Sequence, residues 1–503
     1  MKRRYVLILL LLALSLFLLD INNYIPNKYN SLIIFIDDVI SVIVAITIIL
    51  GNKKMESKIA WAIFVLFVPF VGFLFYMILG IEYNRFRKFD RKIEFDKDID
   101  QMAAKEKDDI KKILKKLGSK KDIIKLVYNL NNRPVSLNNR TEILDNGDEV
   151  FPRLFEELKK AEEFINIEYF IIKEGKIFNE LKDILINKAE AGIEIRILYD
   201  DFGCLDLSKK AIRELNDHGI KTGCFNKINF KLFRPSINYR NHRKIVVIDN
   251  KVAFTGGLNI GDEYAHMDPY YGFWRDTQLL IEGSAVRELN MVFIKDWYHT
   301  TNELLSPNKY LIEHKYTNDI SAIQIVTDGP DNNLGILRDT FFKLINNATK
   351  RIWITTPYLI LDNELIGSLK VAALSGIDVR IIVPGLHDRG KYIIYKATEA
   401  YFSDLLESGV KVYRYNNHFI HSKVLIVDDD IASIGTVNLD YRSFDLHFEV
   451  TALLYCDESI DHLINDFNKD LDNSTEVLWI DWKKRHPYQK MIESLVRIFS
   501  PLL

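Results

Sequence analysis

Disulfide and metal chemistry have little to draw on in this chain. Its 503 residues include three cysteines, Cys204, Cys224 and Cys456, too few and too scattered for a disulfide framework. No CxxC pair and no Cys/His ligand spacing accompanies them, so they read as reduced packing residues. Net charge is equally unremarkable at −2, with 67 basic against 69 acidic side chains. A polyanion such as nucleic acid would have to be bound by a local patch, because the whole molecule does not attract one. What remains, 48% hydrophobic and 27% charged residues, is the balance of a globular or membrane-associated protein long enough for two lobes and an appendage.

The N-terminal stretch through Ile81 is a different material. Tyr5 to Leu19 is wholly apolar behind Lys2, Arg3 and Arg4; Leu32 to Leu50 is apolar apart from Asp37, Asp38 and a few hydroxyls; Ile59 to Ile81 is apolar with Pro69 and Gly72 inside. A helix needs about 20 apolar residues to cross a bilayer, so the third stretch is the one expected to span without ambiguity. No small-residue cleavage site follows the first, which reads as an uncleaved anchor. Cations cluster at Lys2 to Arg4, at Lys53, Lys54 and Lys58, and from Arg85 to Lys92. Two crossings put more of them on one side than three do, which predicts a multi-pass cell-membrane protein whose third segment lies in the interface or re-enters, with its remaining bulk in the cytoplasm. The anchor is assigned residues 1–92, and a charged, helix-favouring linker follows over 93–132.

Beyond it, "HRKIVVID" places His242 and Lys244 two apart at the head of an apolar strand, so both point to one face while Arg243 faces the other. Asp249 follows at the strand's far end, in a turn. A single H-x-K-x4-D match is most simply a polar strand end. A second copy changes that: His421, Lys423 and Asp428 repeat the spacing in "HSKVLIVD". The match continues downstream, where "GGLN" ends in Asn259 and "GTVN" in Asn438, and upstream, where "AGIEIRILYDD" parallels "SGIDVRIIVPG". His242 and His421 are separated by the length of a whole domain, too far for a solenoid repeat. The chain is therefore an α/β protein with two pseudo-symmetric lobes, over 133–312 and 313–503, each a mixed sheet flanked by helices behind an N-terminal transmembrane region.

Paired H-x-K-x4-D-x6-G-x2-N blocks resemble those of the phospholipase D superfamily. Within it, "NYRNHRKIVVID", "GGLNIGDEY", "FWRDTQLLIEG", "IGTVNLDYRSF" and "RIFSPLL" are similar to the bacterial cardiolipin synthases, over a span from about Lys53 to Leu503. Two imidazoles and two ammonium groups suit phosphodiester chemistry without a metal or other cofactor. One histidine attacks phosphorus and the other protonates the departing oxygen. Lys244 and Lys423 would neutralise the charge on the non-bridging oxygens, and Asn259 and Asn438 would add neutral donors to them. The resemblance implies that His242 is the nucleophile and His421 the acid, although the duplication by itself allows the reverse. It also implies that a carboxylate some thirty residues after each histidine orients it, here Asp276 and Glu449. Asp249 and Asp428 are assigned to holding their loops and bridging the lobes, or are ordinary turn residues.

A phosphatidyl-histidine intermediate would then pass its group to an acceptor. The resemblance implies that donor and acceptor are both phosphatidylglycerol, giving cardiolipin and glycerol, with membrane lipid and no nucleic acid as partner. Water as acceptor would make the chain a hydrolase. A silent membrane scaffold is the reading from another class, and it gives no reason for His and Lys in both copies. Two features are left over. "AHMDPYYGF", Ala265 to Phe273, makes the interval from His242 to Asp276 longer than that from His421 to Glu449, and its aromatics could line a lipid entrance; His266 reads as a bystander. Near the end, Tyr488, Met491, Ile492, Leu495, Ile498 and Phe499 form an apolar helical stripe suited equally to packing on the protein and to lying in a lipid interface.

Overall fold

A computed structural model describes residues 27–51, 54–80, 85–103, 118–227, 238–314, 321–332, 334–416 and 418–502. One continuous sheet runs through the molecule. From one edge its strands are Lys221–Phe225, Glu194–Asp200, Phe164–Tyr169, Ile245–Ile248, Val252–Gly256, Thr277–Gly283 and Ser136–Asp145. Beyond these the order is repeated in reverse: Ser321–Asp328, His447–Tyr455, Ile431–Gly435, Val424–Val427, Arg351–Thr355, Asp378–Pro384 and Lys411–Tyr415, with Ser474–Glu476 at the far edge. The duplication has become a pseudo-two-fold, and its seam is the antiparallel pair Ser136–Asp145 and Ser321–Asp328.

Each lobe mixes parallel and antiparallel pairing. Phe164–Tyr169 runs parallel to Glu194–Asp200 and antiparallel to Ile245–Ile248, and Arg351–Thr355 does the same with Asp378–Pro384 and Val424–Val427. The motif strands, "IVVI" and "VLIV", are buried at every position, as expected of apolar runs rich in β-branched residues and covered on both faces. Their turns open on Asp249 and Asp428, at φ of 51° and 55°, a left-handed conformation that aspartate tolerates better than most residues.

Those two aspartates hold loops and do not bridge lobes. Asp249 accepts the amides of Glu162, Glu163 and Phe164 at 2.7, 2.8 and 2.8 Å. Asp428 accepts those of Thr349, Lys350 and Arg351 at 3.0, 2.8 and 3.2 Å. Both sets of amides belong to the aspartate's own lobe, where each carboxylate tethers the motif hairpin to the start of the neighbouring strand.

The third apolar stretch is not one continuous helix. It breaks into a helix Met55–Phe67, a second Pro69–Phe75 and a π turn Tyr76–Gly80, because Val68 leaves the helical region at φ −131°, ψ 72° ahead of Pro69. Gly72 lets the two helices close on each other, since a Cβ there would lie 2.7 Å from the Phe64 carbonyl oxygen. Thirteen helical residues reach about 20 Å, short of the roughly 30 Å hydrocarbon core. The second stretch is helical within Asn27–Leu50 and carries both aspartates, and the first lies outside the described residues. Among the described residues no helix is long and apolar enough to cross a membrane.

The charged segment is helical over Arg85–Ala103 and Lys121–Asn131, and it packs on the lobes. Phe89, Phe95 and Ile99 are buried, and Lys92 lies beside Asp96 at 2.6 Å and Asp331 at 2.8 Å. The final helix, Pro487–Phe499, sets Phe499 against Phe64, with ring centroids 6.2 Å apart, while Tyr488, Met491 and Leu495 remain at least half exposed.

Candidate active site

The seam between the lobes is stitched by two short parallel pairs, and both motifs open from them. Arg240–Asn241 pairs with His447–Phe448, and the His242 amide continues the ladder to the Phe448 carbonyl at 2.9 Å. Symmetrically, Phe419–Ile420 pairs with Trp274–Arg275, and the His421 amide reaches the Arg275 carbonyl at 2.7 Å. Each motif is thus laid against the strand that carries the opposite lobe's carboxylate.

The consequence is a crossed pairing. His242 Nδ1 lies 2.9 and 3.0 Å from the Glu449 oxygens, and His421 Nδ1 lies 2.8 Å from Asp276 Oδ2. The expectation that a carboxylate some thirty residues after each histidine orients that same histidine is corrected here. The residues are those expected, and they are exchanged between the lobes. With Nδ1 taken by a carboxylate, each ring turns Nε2 to the chemistry, and that of His421 also faces Lys423 Nζ at 3.0 Å.

Both lysines share the seam. Lys244 Nζ donates to the His242 carbonyl at 2.6 Å, while Lys423 Nζ lies 2.8 and 3.0 Å from the ring nitrogens of His421 and touches its carbonyl oxygen. Burial, followed by the charges of Lys244, Lys423, His421 and Lys391, holds His242 well below the usual imidazole range. Burial and Lys423 bring His421 down to about 4 against the opposing pull of Asp276. Burial likewise lowers Lys244 to about 7 and Lys423 to about 8. Four bases stripped of water and crowded together form a site that gains by admitting an anion.

Other assignments fare differently. Asn259 is committed within its lobe, accepting from the Ile171 amide at 3.2 Å and donating to the Tyr264 hydroxyl at 3.0 Å. Asn438 is buried with its amide oxygen unpartnered. Arg243 points away from the histidines, as strand alternation predicts, and its guanidinium meets Asp296, the Glu449 carbonyl at 3.1 Å and the Asp328 carbonyl at 3.2 Å. His266 binds Asp148 at 3.2 Å and the Trp274 amide at 2.9 Å, which braces the inserted loop.

Several neighbours escaped sequence reasoning. Ser443 and Thr436 donate hydroxyls to the two Glu449 oxygens, the former at 2.9 Å. Thr436 stands where the first lobe has Gly257, and a Cβ on that glycine would lie 1.9 Å from Asp276 Oδ1. The difference between "GGLN" and "GTVN" is thus matched to the carboxylate behind it, a signal available only once the two copies are overlaid. Phe170 covers His242 edge-on at 5.0 Å, and Trp274 sits 5.1 Å from His421.

His447 adds a third ring near His242, at 5.6 Å, and His242, His447 and Glu449 place their ligand atoms within 4.8 Å of one another. Charge opposes a divalent ion there. Lys244 is adjacent, Arg442 Nε lies 3.4 Å from His447, and both Glu449 oxygens already receive hydroxyl donors. A second such group, Asp145, His462 and Asp466, faces the Arg275 guanidinium.

Comparison with known proteins agrees with this geometry. A family model described as "Cardiolipin synthase, PLD-like domain" matches residues 154–297 and 341–471, and one described as "Phospholipase_D-nuclease N-terminal" matches residues 39–80. A cardiolipin synthase of Alkalihalophilus pseudofirmus is 40% identical over 464 residues, covering 92% of each chain. One of Geobacillus sp. (strain WCH70) is 38% identical over the full length of both. Among solved structures, phosphatidylserine synthase of Haemophilus influenzae aligns with a TM-score of 0.58 at 15% identity, covering 76% of this chain and all of that one, a likeness of fold. By the matched motif blocks and this near-complete coverage, the chain belongs to the cardiolipin synthase family of phospholipase D-like proteins.

Proposed function

We propose that the chain is a membrane phosphatidyltransferase that makes cardiolipin and glycerol from two molecules of phosphatidylglycerol. The observation that carries this reading is the crossed pair of carboxylate-held imidazoles in one seam, with Lys244 against His242 and Lys423 against His421. His242 Nε2 attacks the phosphorus of the first lipid, and the P–O bond to its glycerol breaks. His421 gives its proton to that departing oxygen. The second lipid's glycerol hydroxyl then returns a proton to His421 as its oxygen attacks phosphorus, and the bond to His242 breaks. Lys244 and Lys423 hold the non-bridging oxygens throughout. Membrane attachment through the N-terminal apolar segments, with the lobes on the cytoplasmic side, rests on their composition and cation pattern. The exposed face of Pro487–Phe499 adds an apolar surface beside the Met55–Phe67 helix.

Purified enzyme in phosphatidylglycerol vesicles, with chelator present and no nucleotide, should yield cardiolipin and free glycerol in equal amounts. Phosphatidic acid as the sole lipid product would make it a hydrolase.

The lowered lysines and imidazoles predict a proton linkage. Each is a base whose pKa is depressed by burial, so near pH 8 the empty site holds fewer protons than ordinary side chains would. An anion entering between them favours the charged forms, so binding must take up protons, and affinity must fall as pH rises through about 7 to 8. Titration calorimetry with orthovanadate in buffers of different ionisation enthalpy measures this directly. Proton uptake near pH 8 is expected, and release would contradict the electrostatic account.

A further inference from the structure

The two walls of the seam are not alike. The register of the motif hairpins against their neighbours matches Ile171 in the first lobe to Tyr358 in the second, since Glu168 pairs with Ile245 as Thr355 pairs with Val424. In the first lobe the matched positions are Ile171, Cys204 and Leu207, the last two buried in that lobe's core, and the loop after Glu194–Asp200 carries Asp201 and Asp206 but no cation. Across the two-fold, Tyr358 carries a hydroxyl, and the loop after Asp378–Pro384 carries Asp388 and Lys391.

These groups form a braced cluster. Asp388 accepts from Tyr358 at 2.7 Å and from Tyr271, on the loop inserted in the first lobe, at 2.6 Å. Lys391 Nζ lies 2.6 Å from Asp388 and donates to the Tyr358 hydroxyl at 2.8 Å, which leaves it one further N–H and a side chain 40% exposed. Its charge reaches into the seam, where it acts on both His242 and Lys423. The strand pairing that joins Leu359 to Leu439 puts Tyr358 beside Asn438, whose buried amide oxygen has no hydrogen-bond partner. A cation, a hydroxyl and an unfilled acceptor therefore lie together in the second lobe, which carries His421 and Lys423.

That is the side from which the acceptor must come. His421 protonates the leaving glycerol and deprotonates its replacement, so the two occupy the same place in turn. Glycerol has hydroxyls only, whereas a phosphatidylglycerol acceptor brings a second phosphate a few bonds from the attacking oxygen. We propose that Lys391, Tyr358 and Asn438 form the acceptor-headgroup subsite, with Lys391 receiving the acceptor's phosphate and Asn438 a glycerol hydroxyl. Asp388 and Tyr271 are positioning residues that hold Lys391 at the seam. This inference rests on the transferase reading above.

The test sets two acceptors against each other. Full-length enzyme in phosphatidylglycerol vesicles is given radiolabelled glycerol, and label exchanged into phosphatidylglycerol is compared with cardiolipin formed. Lys391→Met should lower the cardiolipin-to-exchange ratio by at least about tenfold, the loss of one hydrogen bond to a charged group. Lys391→Arg should keep most of it, and Tyr358→Phe should shift it the same way by a smaller factor. An unchanged ratio in Lys391→Met, with both products falling together, would overturn the assignment. Wild-type enzyme that forms neither product would instead contradict the transferase reading and the subsite with it.

Discussion

Replacing Glu449 with glutamine should abolish the phosphorus-labelled enzyme intermediate as completely as replacing His242, although Glu449 belongs to the lobe of the other histidine. The crossed hydrogen bonds require this, because Glu449 holds His242 and Asp276 holds His421. Glutamine at 449 would turn an amide N–H either toward the hydroxyls of Thr436 and Ser443, which keeps the tautomer and removes the negative charge that supports a cationic ring, or toward His242 Nδ1, which moves the ring proton to Nε2 and blocks attack. Loss of such a carboxylate beside a reacting imidazole costs on the order of 10³- to 10⁴-fold in turnover. Asp276→Asn and His421→Ala should slow turnover comparably and still trap the labelled enzyme, since acid assistance fails while attack survives. The four variants thus sort into two pairs by trapping, Glu449 with His242 and Asp276 with His421. Sorting by lobe, with Glu449 behaving like His421, would show that the pairing does not operate in catalysis.

The second large effect is on stability. Arg243 is fully buried between the motif strand and Asp296, and its guanidinium also satisfies the carbonyls of Glu449 and Asp328. Arg243→Ala would leave the buried Asp296 carboxylate with Lys92 as its cation, at 3.5 Å, and would open two carbonyls. Removing one partner of a buried pair costs about 3 to 5 kcal/mol. Denaturant unfolding in detergent should register a loss of that size, whereas a change below about 1 kcal/mol would mean that the network is solvated. The strand that presents His242 would be loosened at the same time, so activity should fall with stability.

How much of this was legible in the sequence depends on distance along the chain. Period two gave His242 with Lys244 and Arg243 opposite, and the alternation holds although these three residues form the link between Arg240–Asn241 and Ile245–Ile248 and lie in neither strand. The duplication revealed two lobes because matched blocks recur in the same order at a domain-length separation. Which carboxylate meets which histidine could not be read in that way. Each pairing is made by a two-residue strand laid across the seam, Arg240–Asn241 on His447–Phe448 and Phe419–Ile420 on Trp274–Arg275, and such short ladders leave no periodicity. Asn259 looked equivalent to Asn438, yet Tyr264 occupies its amide in one lobe only. Length alone marked the third apolar segment as long enough to span, and it is Pro69 and the close approach at Gly72 that fold it back.

Both imidazoles must address one phosphorus atom for this chemistry to run. Orthovanadate, a mimic of the five-coordinate phosphoryl group, measures this most directly in an experimental structure of the full chain. The prediction is one vanadium per chain, bonded to Nε2 of His242, with Nε2 of His421 hydrogen-bonded to its apical oxygen and Lys244 and Lys423 on its equatorial oxygens. Two vanadates in separate pockets, each held by one histidine, would contradict it.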